Sequence, residues 1–342
     1  MNTNLLALDL GTSSINCMIT DQHGSPLGLA EASMSYFTPR DFSNLACEFN
    51  LPNIMSTIDR LISSVLRNSK VDPSSILAIG ITSQRQGLVF LDQNGAEIIS
   101  SPNIDVRAIF QGTSMDETFG EEIYETTGHR PSLLLAPARL EWLKQSQPAK
   151  YAKVSKLVTL GGWLAFRLTG NISCEPSLAA GSGLLNIRNG NTCADLLEKL
   201  NVDTKILPPL INAGDIVGTL TTAASHKWSF KNKIPVTLAG ADTQCGLLGM
   251  GLTSVAETGV ISGWSCSLQT ITKHPCKDID KNIWVGFYPI ENRWVAESNL
   301  GDFGNAYKWL KEVLLGKRVP WEKIESLIEM VPPGSDGVFS FI

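Results

Sequence analysis

Short apolar runs broken by turn residues open the chain, and stripes of apolar residues at helical spacing follow. Leu5–Leu10 reads as a buried strand, Ile15–Thr20 as a second and Leu27–Tyr36 as a third, with Asp21-Gln22-His23-Gly24 as the turn between the last two. These strands form an antiparallel meander whose first loop is 9–14. Leu51–Arg67 places Ile54, Ile58, Leu61, Ile62 and Val65 on one side of a helix. Ile76–Thr82 is a strand, and Leu88–Leu91 followed by Asp92-Gln93-Asn94-Gly95 starts a hairpin. Helices are expected over Glu117–Thr126, Pro137–Gln145, Gly161–Leu168 and Ala194–Leu200, with a break at Pro208-Pro209. Ile234–Leu238 is a strand that runs into Gly240-Ala241-Asp242, and Gln244–Met250 is a short helix. Gly259–Ser262 and Ser267–Thr272 are strands around a Gly-Trp-Ser turn, and Trp284–Tyr288 with Arg293–Glu297 form a hairpin. Phe303–Leu314 and Trp321–Met330 are expected to be helical, and Val338–Ile342 to open a further strand.

Two of the turns in this pattern carry chemistry. Asp9 ends one apolar run and is followed by Gly11, Thr12 and Ser13; Asp242 ends another and is followed by Thr243 and Gln244. A carboxylate at a strand end can anchor a hydrated cation or accept a proton, and glycine lets backbone approach phosphate oxygens. A plainer reading makes either Asp a turn former or helix cap. The segment 258–271 repeats the strand, Gly-plus-hydroxyl turn, strand form of 6–19, which reads as a duplicated phosphate-gripping hairpin with a boundary near Gly251. Folding is expected to bring Asp9 and Asp242 to opposite walls of one cleft.

Bulk properties narrow the class. With 342 residues the chain has room for about two domains, and 43% hydrophobic with 18% charged residues is an ordinary globular balance. A net charge of −5 gives no reason to expect nucleic acid or an anionic membrane as partner. Phosphate would have to be held by backbone dipoles, local Lys or Arg, or a metal. The seven cysteines are scattered and contain no CxxC pair, which argues against a disulfide framework or zinc site and for a reducing cytoplasmic setting. No signal-like N-terminus and no run of about 18 apolar residues is seen.

Seven segments in order then carry a family resemblance. They are DLGTSS, TSQRQGLVFLD, PNIDVRA, ETTGHRPSLLLAPARLEWL, GGWLAFRLTG with CEPSLAAGSGLLNI, AGADTQCGLLGMG and PPGSDG. Together they resemble the FGGY carbohydrate kinases, and within that family NIDVRA, AGADTQ and AESNLGDFGNAYKWL look nearest to kinases of the autoinducer type. The resemblance implies an α/β, actin-like ATPase (ribonuclease H-like) fold with a mixed five-stranded sheet flanked by helices. It implies a complete sugar-binding first domain over 1–251 and a partial nucleotide-binding second domain over 252–342. By the same resemblance, Asp9 would hold the Mg²⁺ of ATP, with Asp242 beside the metal and acting as general base on a sugar or polyol hydroxyl. Gly11, Thr12, Ser13, Ser262, Gly263, Gly304 and Lys308 would face the nucleotide, and Gln84, Arg85, Asp105 and Thr243 the sugar. A homodimer is left open.

The chain also departs from the family pattern. Ile261 adds bulk before the second phosphate turn, Asn16 stands where some members carry an Arg, and Asn103 stands where a Trp often packs on the sugar. Arg107 reads equally well as a surface salt-bridge former. Trp264 and Trp294 suit a core or interface as readily as a ligand, and Leu133–Leu135 suits packing. No GGG or GGA follows Lys273, so a later adenosine-cradling loop is not expected in this sequence. The main reading is an ATP-dependent carbohydrate kinase or part of one. The alternatives are a sugar-binding or regulatory remnant without catalysis, and an ATPase or phosphatase that uses water as acceptor.

Overall fold

The computed structural model describes residues 3–40, 45–231 and 233–338. The expected meander is present as β1 (Asn4–Leu10), β2 (Ser14–Asp21) and β3 (Pro26–Ser33), with Leu8 opposite Cys17 in β1/β2 and Cys17 opposite Ala30 in β2/β3. The third strand ends at Ser33, short of the expected Tyr36. Tyr36–Phe37 instead forms β4, paired with β5 (Glu48–Phe49). Alternation along β1 buries Leu6, Leu8 and Leu10 on one face. Helix α1 (Leu51–Ser69) covers that sheet with Ile54, Ile58, Leu61, Ile62 and Val65, and the Asn50 side chain caps it by accepting from the Asn53 N–H. Its last turn lies so close to β3 that a Cβ on Gly28 would sit 2.9 Å from the Ser69 Cβ.

Strand β6 (Ile76–Ser83) runs parallel to β1 on its other side. After it, β7 (Leu88–Leu91) and β8 (Glu97–Ser101) form the expected hairpin. Next come α2 (Ile109–Thr127), α3 (Ala136–Ser146) and α4 (Pro148–Tyr151), then β9 (Lys156–Thr159), which joins β7 in a three-stranded sheet ordered β8-β7-β9. Helix α2 starts at Ile109, well before the expected Glu117. Its first turns carry Gly112 in place of an apolar stripe, because the backbone of Leu133 packs directly on that glycine. Helix α5 (Leu160–Thr169) follows, then two short helices, α6 (Pro176–Gly181) and α7 (Ala194–Lys199).

The first sheet is completed by β10 (Ile216–Thr219), α8 (Thr222–Trp228) and β11 (Pro235–Ala241), which lies parallel to β6; α9 (Asp242–Gly249) begins as β11 ends. The order β10-β11-β6-β1-β2-β3 makes six strands where five were expected. The added strand, β10, is a four-residue edge strand with no buried side chain, so its sequence carries no alternation to read.

A second sheet, ordered β12-β13-β15-β14, is built from β12 (Thr258–Ser262), β13 (Cys266–Thr272), β14 (Trp284–Phe287) and β15 (Trp294–Asn299). The β12–β13 hairpin has the strand–turn–strand form of β1–β2. Polar and backbone bonds tie this sheet to the first part of the chain: Val285 N–H donates to Gly128, Trp284 Nε1 to Arg130 and Trp294 Nε1 to Ile187. Helices α10 (Phe303–Leu314) and α11 (Trp321–Ile328) follow, with Ile324 their one buried side chain. The expected strand at 338–342 lies outside the described residues except for Val338, which belongs to no strand.

Replacing Gly112 by Ala would put a Cβ 2.3 Å from the Leu133 Cα, an overlap that backbone must move to relieve. We expect Gly112→Ala to lose about 1–3 kcal/mol in urea denaturation. Gly249→Ala, which meets nothing within 4 Å, should leave the midpoint unchanged or slightly raised.

Candidate active site

Three adjacent parallel strands set the geometry. Register pairs Asp9 with Thr82 and Thr82 with Gly240, so β1, β6 and β11 end together and deliver Asp9 and Asp242 to one rim. At the usual interstrand spacing these positions are roughly 10 Å apart. The two Asp therefore share one end of the same sheet and do not face each other from opposite walls, since the strands bearing them are parallel and separated only by β6. A cleft of about 560 Å³ opens over this rim. Thr12, Arg85, Gln86, Asn103, Asp242 and Thr243 line it from the first part of the chain, and Trp264, Ser265, Trp284, Glu297 and Asn299 from the second sheet. The ends of parallel strands are where open α/β sheets bind ligands.

Asp9 is only half satisfied by protein partners. Asn16 Nδ2 donates to its Oδ2 at 3.1 Å, while the buried Oδ1 has no partner. Burial raises its pKa, partly offset by the Asn16 bond. Among the described residues no three His, Cys, Asp or Glu side chains cluster as a metal cage. An orphaned carboxylate oxygen at the strand ends would nevertheless suit Mg²⁺, which keeps most of its water and takes few protein ligands.

Asp242 stands at the start of α9, and the Thr243 N–H donates to its Oδ1 at 2.8 Å. Burial pushes its pKa up to about 7; the Arg85 charge pulls the other way, and the Asp9 charge adds to the rise. Such a carboxyl is poised between proton acceptor and donor near neutral pH.

Arg85 does not wait free for a ligand. Its guanidinium grips Glu297 through two bonds, Nη1 to Oε2 at 2.5 Å and Nη2 to Oε1 at 2.8 Å. The residues are only 8% and 2% exposed, and Gln269 Nε2 and Asn299 Nδ2 also donate to the carboxylate. Burial opposes the charge on Glu297, yet the Arg85 charge and bonds hold its pKa below the usual value. Arg85 also lies 5.3 Å over the Trp284 ring. The pair thus fastens the loop after β6 to β15 across the cleft floor.

On the expected sugar side, two residues face protein. Gln84 donates to Gly11 O and Tyr36 Oη and accepts from Asn103 N–H, and it is 1% exposed. Asp105 is fully buried and accepts from Ser101 Oγ and from Arg107 Nε at 2.8 Å. Arg107 is correspondingly a buried residue, bonded also to Glu48 and the Cys47 carbonyl, and not a surface salt-bridge former. The two residues that line the cleft with unpartnered buried atoms are Gln86, through Nε2, and Asn103, through Oδ1. Gln86 was not among the sequence-based site residues. Its one signature is backbone: φ is +57° for a non-glycine residue, held by Arg139 Nη1 donating to its carbonyl.

On the expected nucleotide side, Gly11 N–H donates to Ser14 O and so closes the β1–β2 turn, with Thr12 lining the cleft and Ser13 beside it. Ser262 ends β12, and Gly263 N–H donates to Ser265 O in the facing turn. Gly304 packs on that turn: its N–H donates to Trp264 O, and a Cβ would lie 2.2 Å from Gly263 O. Lys308 is exposed one turn further along α10 and does not line the cleft.

Residues 4–249 match the family model of the FGGY carbohydrate kinases, N-terminal domain, which is well over half of the chain. The chain belongs to the FGGY family of carbohydrate kinases. It is 28% identical to the autoinducer-2 kinase of Salmonella typhimurium across 98% of its own length and 65% of that protein's. The figures for the autoinducer-2 kinase of Escherichia coli K12 are 29%, 98% and 65%. The chain thus spans 65% of the length of these curated relatives. In fold it resembles the gluconate kinase of Lactobacillus acidophilus, with a TM-score of 0.88 at 19% identity, covering 98% of this chain and 67% of that one. The Plasmodium falciparum glycerol kinase, solved with ADP, gives 0.81 at 18%, covering 96% and 67%. These likenesses establish the actin-like ATPase fold.

Within this FGGY chain the departures noted in the sequence have structural roles. Asn16 holds Asp9, Asn103 joins Thr12 Oγ1 at 2.8 Å to Gln84 Oε1, and Ile261 packs where a Cβ on Gly246 would meet its Cδ1 at 2.8 Å.

Truncating either half of the Arg85–Glu297 pair leaves a buried charge uncompensated. We expect Glu297→Ala to lose about 3–5 kcal/mol in urea denaturation, and an Arg85→Met/Glu297→Leu double variant to lose much less. Equal losses in the single and double variants would refute this reading.

Proposed function

We propose that this FGGY chain carries the sugar side and the phosphate rim of an ATP-dependent kinase that phosphorylates a hydroxyl of a small sugar or polyol. One observation carries the proposal. Beside a carboxyl with a pKa near 7, the cleft presents one buried unpartnered donor, Gln86 Nε2, and one buried unpartnered acceptor, Asn103 Oδ1. Hydroxyls both donate and accept, so a ligand bearing several of them can satisfy both atoms, which otherwise stay unbonded.

In this reading Asp242 accepts the proton of the attacking hydroxyl as the phosphoryl group transfers in line. Thr243 N–H orients the carboxylate, and Arg85 is paired with Glu297 beside it. Asp9 would hold Mg²⁺, which would neutralise phosphate charge. Thr12 and the Gly263–Ser265 turn, with Gly304 behind it, flank the opening from both sides. The likeness to autoinducer-2 kinases favours a substrate of the autoinducer-2 kind. All seven cysteines are free thiols, and no described helix is long and apolar enough to cross a membrane; we place the work in the cytoplasm, where ATP is made.

Incubation with ATP, Mg²⁺ and a sugar panel, read as sugar-dependent ADP release, tests the proposal. Asp242→Asn should lower kcat by about 10²–10⁴-fold while sugar affinity stays near wild type. Full activity in that variant would remove Asp242 as base. Sugar binding without turnover in the wild type would leave a binding module.

The pH dependence follows from the same carboxyl. Burial raises its folded pKa, so the base form fills only as pH climbs through about 7. In kcat/KM, which reports the free protein, activity should rise about tenfold per unit below that midpoint and level off above it. A flat profile between pH 5 and 8 would contradict the assignment.

A further inference from the structure

A second hollow, of about 520 Å³, lies away from the cleft, between the 175–215 segment and the β14–β15 turn. Its lining includes Glu175, a carboxylate only 2% exposed. Three donors, Ser177 Oγ at 2.5 Å, Ser177 N–H at 2.9 Å and Leu178 N–H at 3.2 Å, all go to Oε2. None of the three reaches Oε1. Arg293, on the other side of the hollow, has a buried Nε with no partner. Trp294 and Phe287 line the hollow with ring centroids 6.0 Å apart. The lining has no surplus of positive charge, with Arg188 and Arg293 set against Glu175, Asp215 and Glu291.

Each feature excludes something. A phosphate or carboxylate ligand would meet Glu175, Asp215 and Glu291 without surplus positive charge. A purely apolar ligand would leave the Glu175 and Arg293 atoms unbonded. A hydroxyl-rich ring does neither: it donates a hydrogen bond to Oε1, accepts one from Nε–H and lays its C–H face on an indole. We propose that this hollow is a second ligand site, specific for a neutral monosaccharide.

The site reaches the catalytic rim through three linked groups. Glu175 holds Ser177 Oγ, and that hydroxyl accepts from the Ala241 N–H at 2.8 Å, one residue before Asp242. The turn is tight: Gly240 has φ +122°, and a Cβ there would lie 3.1 Å from Ser177 Oγ. On its far side Thr82 Oγ1 donates to Gly240 O at 2.8 Å. A sugar bound to Glu175 therefore stiffens the turn that carries Asp242. This coupling, unlike the binding itself, gains its meaning from the kinase reading above.

Saturation-transfer NMR with D-glucose, D-xylose and D-ribose tests the site on the full chain. Gln86→Leu/Asn103→Ala silences the cleft and isolates the hollow. At least one of the three sugars should still bind this double variant. Adding Arg293→Gln, or separately Glu175→Gln, should weaken that binding about tenfold or more, the worth of one hydrogen bond to a charged group. Bound sugar should also slow amide exchange in the peptide 236–248. Failure of all three sugars to bind the cleft variant, or binding indifferent to both Arg293→Gln and Glu175→Gln, overturns the proposal. Sugar that binds wild type but not the cleft variant keeps the kinase reading and overturns this one.

Discussion

A buried charge pair holds the two parts of the site together. Arg85 comes from the loop after β6 and Glu297 from β15, and the doubly bonded contact between them joins the first sheet to the second under the cleft. Buried pairs are poor sources of net stability, because taking two charges out of water offsets much of their attraction. What this one supplies is position. Neither partner can leave without exposing the other, so the distance between the sheets is fixed at the point where Asp242 sits. The Arg85 charge also limits how far burial raises the Asp242 pKa.

Around that pair the backbone does most of the arranging. Parallel β1, β6 and β11 end in register, which is why an Asp at position 9 and one at position 242 become neighbours on one rim. The β1–β2 and β12–β13 hairpins bring turns of small and hydroxyl residues to the two sides of the opening. Gly304 is required where α10 starts, since no side chain fits against Gly263.

Much of this was legible in the sequence, and the parts that were not have physical reasons. Strong alternation in β1 and β2 and the helical stripe of α1 are local signals, and they matched the structure closely. Strand β10 and helices α6 and α8 are short and owe their form to neighbours, so local pattern did not mark them. Thr12 and Asp242, which line the cleft, stood out in the sequence because Gly and hydroxyl residues surround them. Gln84 and Asp105 were expected to face the sugar by family resemblance; in space their polar atoms are taken up by Gly11, Tyr36, Ser101 and Arg107. The ion pair of Arg85 spans 212 positions and left no trace in either local segment. Gln86 was missed for a similar reason, since its left-handed backbone depends on Arg139.

The account stands or falls on the state of one carboxyl. Carbon-13 NMR titration of Asp242, assigned by the resonance lost in Asp242→Asn, measures it directly in the free protein. A midpoint near 7 is expected, and a lower one in Glu297→Gln, where Arg85 keeps its charge and a neighbouring negative charge is removed. A wild-type midpoint in the ordinary carboxylate range, about 4, would contradict the account.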